Sequence, residues 1–107
     1  MNETSEAPAH GIRRAMASDV PAIVAMLAED PLGAARESLE DLTPYQRAFE
    51  AVDSDPGQLL VVAERDGVVV GTLQLSFLPG LSRRGATRAQ IEGVRVAASE
   101  RGAGLGG

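Results

Sequence analysis

The chain has 107 residues and a mass of 11.1 kDa, which is enough for one domain and too little for two. It contains no cysteine and one histidine, which excludes disulfide scaffolds, thiol nucleophiles and cysteine or multi-histidine metal sites. The net charge is −5, which disfavours a general nucleic-acid binder. No apolar run reaches the roughly 20 residues of a membrane span. We therefore expect no nucleic-acid, membrane or metal partner, and a cytoplasmic location.

The charges are distributed unevenly along the chain. Residues 1–66 hold five arginines and thirteen acids, whereas residues 67–107 hold five arginines and two acids. Opposite charges attract, so an anionic ligand is expected near the C-terminal third.

The first half of the chain predicts a tail, an edge strand and two helices. Residues 1–10 are polar without apolar periodicity and predict a disordered tail, and residues 11–16 predict an edge strand. Ser18 is a candidate cap for an amphipathic helix that ends near Asp30, before a proline.

The second predicted helix follows a polar connection, Leu32–Leu42, which contains Gly33 and is compatible with a helical turn. Thr43 and Pro44 supply a cap and a first-turn proline, and the helical spacing continues to about Asp53. Tyr45 and Phe49 belong to its apolar stripe, which we interpret as core or as the wall of a binding site.

The next segment predicts a β-hairpin. Leu59–Glu64 and Val68–Phe77 are apolar strands joined by the turn Arg65–Gly67. Alternate residues of a strand share one face, and the face expected to pack on the helices carries Val69, Gly71, Leu73, Leu75 and Phe77.

A loop and a last strand complete the predicted sheet. Residues 78–87 contain glycine and proline and expose Arg83 and Arg84, either as a solvated loop or as a rim for an anionic group. The strand runs from about Arg88 to Val96, and Gly93 within it is typical of a bulge.

The stretch Gln90–Gly106 carries the most specific motif. A glycine-rich loop after a strand allows backbone N–H groups to approach phosphate oxygens, although glycine-rich solvated tails are also common. Here the strand end Val94-Arg95-Val96 leads to Arg101, Gly104 and Gly106 in the first, fourth and sixth positions of a loop. This pattern resembles the acetyl-CoA-binding motif of the Gcn5-related N-acetyltransferase family, and the likeness covers about Ile12–Gly107.

The resemblance implies a cosubstrate, acetyl-CoA, and residues that bind it. The loop residues Arg101, Gly102, Ala103, Gly104, Leu105 and Gly106 would hold the pyrophosphate through their N–H groups. Val94, Arg95 and Val96 would lie beside the pantetheine arm. The N–H near Val94 would polarise the thioester carbonyl, and Glu92 would be the general base.

Glu92 has independent chemical support as a base. An amine becomes nucleophilic only after losing its proton, and Glu92 is the sole acid between Gly67 and Ser99. The alternative is that Glu92 points outward, or pairs with Arg88 or Arg95.

The expected fold is α+β, an acyl-CoA N-acyltransferase-like antiparallel sheet of about four strands with two helices after the first strand. Residues 11–107 would form an incomplete N-acetyltransferase domain without the C-terminal half of the fold, and the isolated chain would be inactive. The predicted reaction is acetyl transfer to a primary amine of a small molecule or a protein by direct attack. The alternatives are a CoA binder without transfer chemistry and a half-domain that forms a homodimer through the edge of its last strand.

Overall fold

The computed structural model describes residues 10–29 and 31–100. The predicted tail up to residue 9 and the predicted phosphate loop from residue 101 onward lie outside the described residues. The helices are α1 (Val20–Leu27), α2 (Pro31–Arg36), α3 (Thr43–Asp53) and the single turn α4 (Ser82–Gly85). The strands are β1 (His10–Arg14), β2 (Gln58–Arg65), β3 (Val68–Pro79) and β4 (Thr87–Val96).

The four strands form one antiparallel sheet in the order β1-β2-β3-β4, which confirms the predicted fold class. The predicted helices correspond to α1 and α3, and α2 is an additional helix of six residues in the connection between them. Ser18 does not cap α1, since it lies in a 3-10 turn (Ala17–Asp19) that precedes the helix.

The core lies between the sheet and α1. Val62 of β2 is completely buried and clusters with Ala15, Ile23 and Met26. Phe49 of α3 packs against the edge of this cluster. Both long helices therefore cover the sheet face that carries Val62.

The predicted inward face of β3 is wrong for most of its length. The buried side chains of β3 are Val70, Thr72 and Ser76, and Thr72 is paired with Val62 on the helix side. A register shift after Ala63 is the physical reason, because a bulge changes which residues of a strand share a face. Of the predicted set, Val69 packs against the core cluster in the described part of the chain.

An ion-pair network fastens the start of α1 to the sheet. Asp19 accepts two hydrogen bonds from the Arg13 guanidinium, at 2.8 and 3.0 Å, and a third from the Met16 N–H at 2.7 Å. Arg13 also donates through Nε to Glu64 of β2 at 2.9 Å. Hydrogen bonding to Arg13, aided by the Met16 N–H, lowers the pKa of Asp19 despite its burial.

Candidate functional site

Glu92 lies on β4 opposite Gln74 of β3, on the face of the sheet that carries the helices. The residue is exposed, and its Oε2 lies 2.7 Å from the Ser76 hydroxyl oxygen, within hydrogen-bond distance. In the part of the chain that the structure describes, Glu92 forms no ion pair with Arg88 or Arg95. The partner of Glu92 is therefore a neutral hydroxyl, which sequence reasoning did not predict.

Ser76 connects Glu92 to two amide side chains. Its Oγ lies 2.9 Å from Gln58 Oε1, and Gln74 Nε2 lies 2.7 Å from the same oxygen. The register places Gln58 opposite Ser76, and Ser76 is only 6% exposed. Three strands thus bring three polar side chains together beside Glu92.

The predicted bulge at Gly93 is confirmed. The pairing of β4 with β3 shifts between Gln74–Glu92 and Thr72–Arg95, which leaves Gly93 and Val94 opposite the single residue Leu73. Gly93 adopts φ +61, a left-handed conformation that residues with a side chain rarely adopt. Among residues 10–29 and 31–100, and apart from its chain neighbours, no atom lies within 4 Å of where a Cβ of Gly93 would stand, so the described space beside the bulge is open.

The strand end Val94-Arg95-Val96 lies at the edge of the sheet, because β4 has only β3 as a neighbour among the described strands. Arg95 Nη1 donates to the Val94 carbonyl at 2.8 Å. An edge strand directs alternate N–H and C=O groups away from the sheet, where they can pair with another extended chain.

The sheet face opposite the helices is apolar and largely open. Ile12 is 76% exposed there, and Val94 is half-exposed. A cavity of about 150 Å³ lies on this face, and Gly71, Leu73 and Val94 contribute to its lining. Gly71 and Leu73, which were predicted to face the helices, therefore lie beside the end of β4 on the other face.

The connection between α2 and α3 is held by Tyr45. Its hydroxyl donates to Glu37 at 2.7 Å and accepts from the Ser38 N–H at 2.9 Å. The Ser38 N–H by itself lowers the pKa of the Tyr45 hydroxyl, but the hydrogen bond to Glu37, desolvation and the Glu37 charge together raise it. Tyr45 therefore fixes a loop as well as contributing to the apolar stripe.

The β3–β4 connection is exposed, as predicted. Leu81 is 97% exposed, and Arg83 and Arg84 both adopt positive φ inside the turn α4. Their guanidinium groups belong to the exposed surface of this loop.

Comparisons with known proteins agree with this architecture. The sequence model of the Acetyltransferase (GNAT) family matches residues 20–107. A transcriptional regulator from Bacillus halodurans C-125 is 41% identical with a TM-score of 0.84, over 91% of this chain and 66% of its own. A putative acetyltransferase from Agrobacterium tumefaciens str. C58 is 26% identical with a TM-score of 0.77, over 90% of this chain and 65% of its own.

A predicted acetyltransferase from Clostridium acetobutylicum, solved with acetyl-CoA, shares the fold at 17% identity and a TM-score of 0.63, over 90% of this chain and 65% of its own. The chain thus spans just under two thirds of the length of these three solved structures. No curated protein sequence matches it.

The chain has the antiparallel sheet and helices of an acyltransferase domain, and its family follows from the match over most of its length. It belongs to the Acetyltransferase (GNAT) family. Within residues 10–29 and 31–100, no helix is long and apolar enough to cross a membrane.

Proposed function

We propose that this chain provides the acetyl-CoA side of an N-acetyltransferase that acts on a primary amine, with Glu92 as the general base. The observation that carries the proposal is the arrangement of β4. Glu92 lies next to a bulge at Gly93, and the bulge is followed by an edge strand. The family match and a structural neighbour solved with acetyl-CoA support the choice of cosubstrate.

The β4 edge fits an extended arm that contains amide groups. Outward N–H and C=O groups of an edge strand can form main-chain hydrogen bonds with such an arm. The open space at Gly93 admits a close approach, and the apolar side chains of Leu73 and Val94 lie beside it. Val94, Arg95 and Val96 would bind the arm, and the loop Arg101–Gly106 would hold the pyrophosphate.

The bulge gives the Val94 N–H its proposed role. Gly93 and Val94 face one residue of β3, so the regular ladder is interrupted at this point. An N–H released from a ladder can instead donate to a carbonyl oxygen on which negative charge develops. We assign this oxyanion-stabilising role to Val94.

The reaction balances with one proton transfer to this chain. An ammonium group of the acceptor gives a proton to Glu92, and the freed nitrogen lone pair forms a bond to the acetyl carbonyl carbon. Acetyl-CoA supplies the acetyl thioester. The attacking nitrogen loses its second proton as the C–S bond breaks and the amide forms, and the sulfur takes up a proton and leaves as a thiol. The described residues include no group that we assign to protonate the sulfur.

The open edge of β4 also favours a second candidate, a homodimer formed by pairing of two such edges. Both candidates use the same backbone groups, so they compete. Saturating acetyl-CoA should dissociate a dimer of this kind, which analytical ultracentrifugation can measure.

The role of Glu92 is tested by Glu92→Gln in an acetyl-transfer assay across pH, made in a protein that carries this chain at the full length of its solved relatives. Loss of a general base lowers kcat/KM about a hundredfold or more. The KM for acetyl-CoA should stay unchanged, because Glu92 does not bind the cosubstrate in this proposal. Glu50→Gln on the exposed surface of α3 is the matched control, with the same change of charge. Wild-type turnover by Glu92→Gln at every pH would remove Glu92 from the mechanism.

A further inference from the structure

The hydrogen bonds around Glu92 form a connected chain across three strands. Gln74 contacts Gln58 at 2.7 Å, Gln58 contacts Ser76 at 2.9 Å, and Ser76 contacts Glu92 at 2.7 Å. Ser76 is buried, so a contact in which two polar atoms face each other with no hydrogen between them would cost free energy. The direction of each hydrogen bond is therefore constrained by its neighbours.

The ionised form of Glu92 permits one direction. A carboxylate can only accept, so Ser76 must give it the single hydroxyl hydrogen. Ser76 then has only lone pairs to offer Gln58, which must present its amide nitrogen. The second N–H of that nitrogen points to Gln74, which must present its amide oxygen.

The protonated form of Glu92 permits the opposite direction. The carboxylic acid donates to Ser76, and Ser76 donates to Gln58 Oε1. Gln58 Oε1 also accepts from Gln74 Nε2, which is the amide orientation found in the structure. Every contact is a satisfied hydrogen bond both when Glu92 is ionised and when it is protonated. The two states differ in that the side-chain amides of Gln58 and Gln74 are flipped by about 180°, which exchanges their oxygen and nitrogen.

We propose that Ser76 and Gln58 are positioning residues, whose hydrogen bonds reverse direction as Glu92 accepts the proton of the acceptor amine. This inference rests on the proposed function for its catalytic meaning. Ser76 holds one carboxyl oxygen of Glu92, and the other oxygen accepts the proton of the amine. A half-turn of the carboxylic acid group then brings the new O–H to Ser76, and the hydrogen bonds reverse.

The elements packed against this network differ in charge. Gln58 and Gln74 are neutral and α1 carries no charged side chain, whereas α3, which contacts β2, carries Arg47, Glu50 and Asp53. The charged residues on the same face of β4 are Arg88 and Arg95, placed there by their pairing with Leu78 and Thr72.

The coupling can be measured without an acceptor by nuclear magnetic resonance of the labelled protein. The side-chain amide signals of Gln58 should change over the pH range in which the Glu92 carboxyl signal changes. Ser76→Ala should abolish the change at Gln58, and Ser76→Thr, which keeps a hydroxyl, should retain it. Gln46, exposed on α3, is the internal control and should not respond.

Activity of the protein that carries this chain at the full length of its solved relatives gives the second readout. Ser76→Ala should lower kcat/KM about tenfold and change its pH dependence, since a hydrogen bond to a charged group is lost. The KM for acetyl-CoA should not move, and Ser76→Thr should restore most of the rate. The inference would be overturned if the Gln58 amide signals stayed constant while the Glu92 carboxyl signal changed with pH. A Ser76→Ala protein with the wild-type pH profile of kcat/KM would also overturn it. Coupled signals in a protein that transfers no acetyl group would support the network and refute the proposed function.

Discussion

Replacing Asp19 with asparagine removes the charge that holds the start of α1 to β1. The carboxylate is 5% exposed and accepts three hydrogen bonds, two of them from the Arg13 guanidinium. Asparagine keeps one acceptor oxygen and turns an NH2 group toward existing donors. The Arg13 side chain is 32% exposed and can partly rehydrate, so the expected loss of unfolding free energy is about 3 kcal/mol.

Thermal denaturation followed by circular dichroism measures this loss. For a domain of this size, about 3 kcal/mol corresponds to a fall in Tm of roughly 15 °C. Asp53→Asn is the matched control, because Asp53 forms an exposed ion pair with Arg14 at 3.3 Å. That variant should lose less than about 1 kcal/mol. Equal losses of stability in the two variants would refute the claim that Asp19 stabilises the fold more than Asp53 because it is buried and accepts more hydrogen bonds.

The effect of Asp19 depends on pH in a defined direction. Hydrogen bonding to Arg13 lowers the pKa of Asp19 in the folded protein below the ordinary value of 3.8. Its stabilisation is therefore present above pH 3.8 and is lost as the pH falls through the lower folded value. Wild type and Asp19→Asn should differ most at neutral pH and least at about pH 2. A difference that is constant with pH would contradict the ionic origin of the effect.

Three further substitutions test other parts of the account. Gly93→Val should cost roughly 1 kcal/mol of stability from its positive φ and weaken acetyl-CoA binding in calorimetry, whereas unchanged affinity would separate the bulge from the cosubstrate. Gly104→Val should weaken binding of CoA by crowding the pyrophosphate, and equal affinity would remove the loop from the site. Tyr45→Phe should speed hydrogen exchange at the Ser38 amide, because that N–H loses its acceptor, and an unchanged rate would show that the contact does not hold the loop.

Local sequence signals predicted most of the elements. The proline near the start of α3 marks the beginning of that helix, and the apolar β-forming residues after Gly57 mark a strand. Each signal lies inside the element that it predicts. The Gly93 bulge was also predictable, since a glycine inside a strand often marks a bulge, where the backbone takes the positive φ found at Gly93. For the connection that contains α2 the sequence was compatible only with a helical turn, because six residues are too few for helical periodicity to be evident.

Features that depend on strand register were not predictable. The shift after Ala63 changes the faces of β3, and no local residue pattern marks it. The contact between Ser76 and Glu92 requires the register of β3 with β4, and that of Gln58 with Ser76 requires β2 with β3. Sequence reasoning therefore identified Glu92 as a candidate base but not the side chains that position it.

The most direct test of the central claim is acetyl transfer itself. A protein that carries this chain at the full length of its solved relatives is incubated with acetyl-CoA and, in separate reactions, with small amines, amino acids, aminoglycosides and peptides with a free N-terminus. Free thiol and acetylated product are measured in the same samples. The account predicts that at least one amine is acetylated, with thiol and product formed in equal amounts and no thiol formed without the amine. The account would be contradicted if the rate of thiol release were the same with and without every amine. It would also be contradicted if acetyl-CoA bound but no thiol were released.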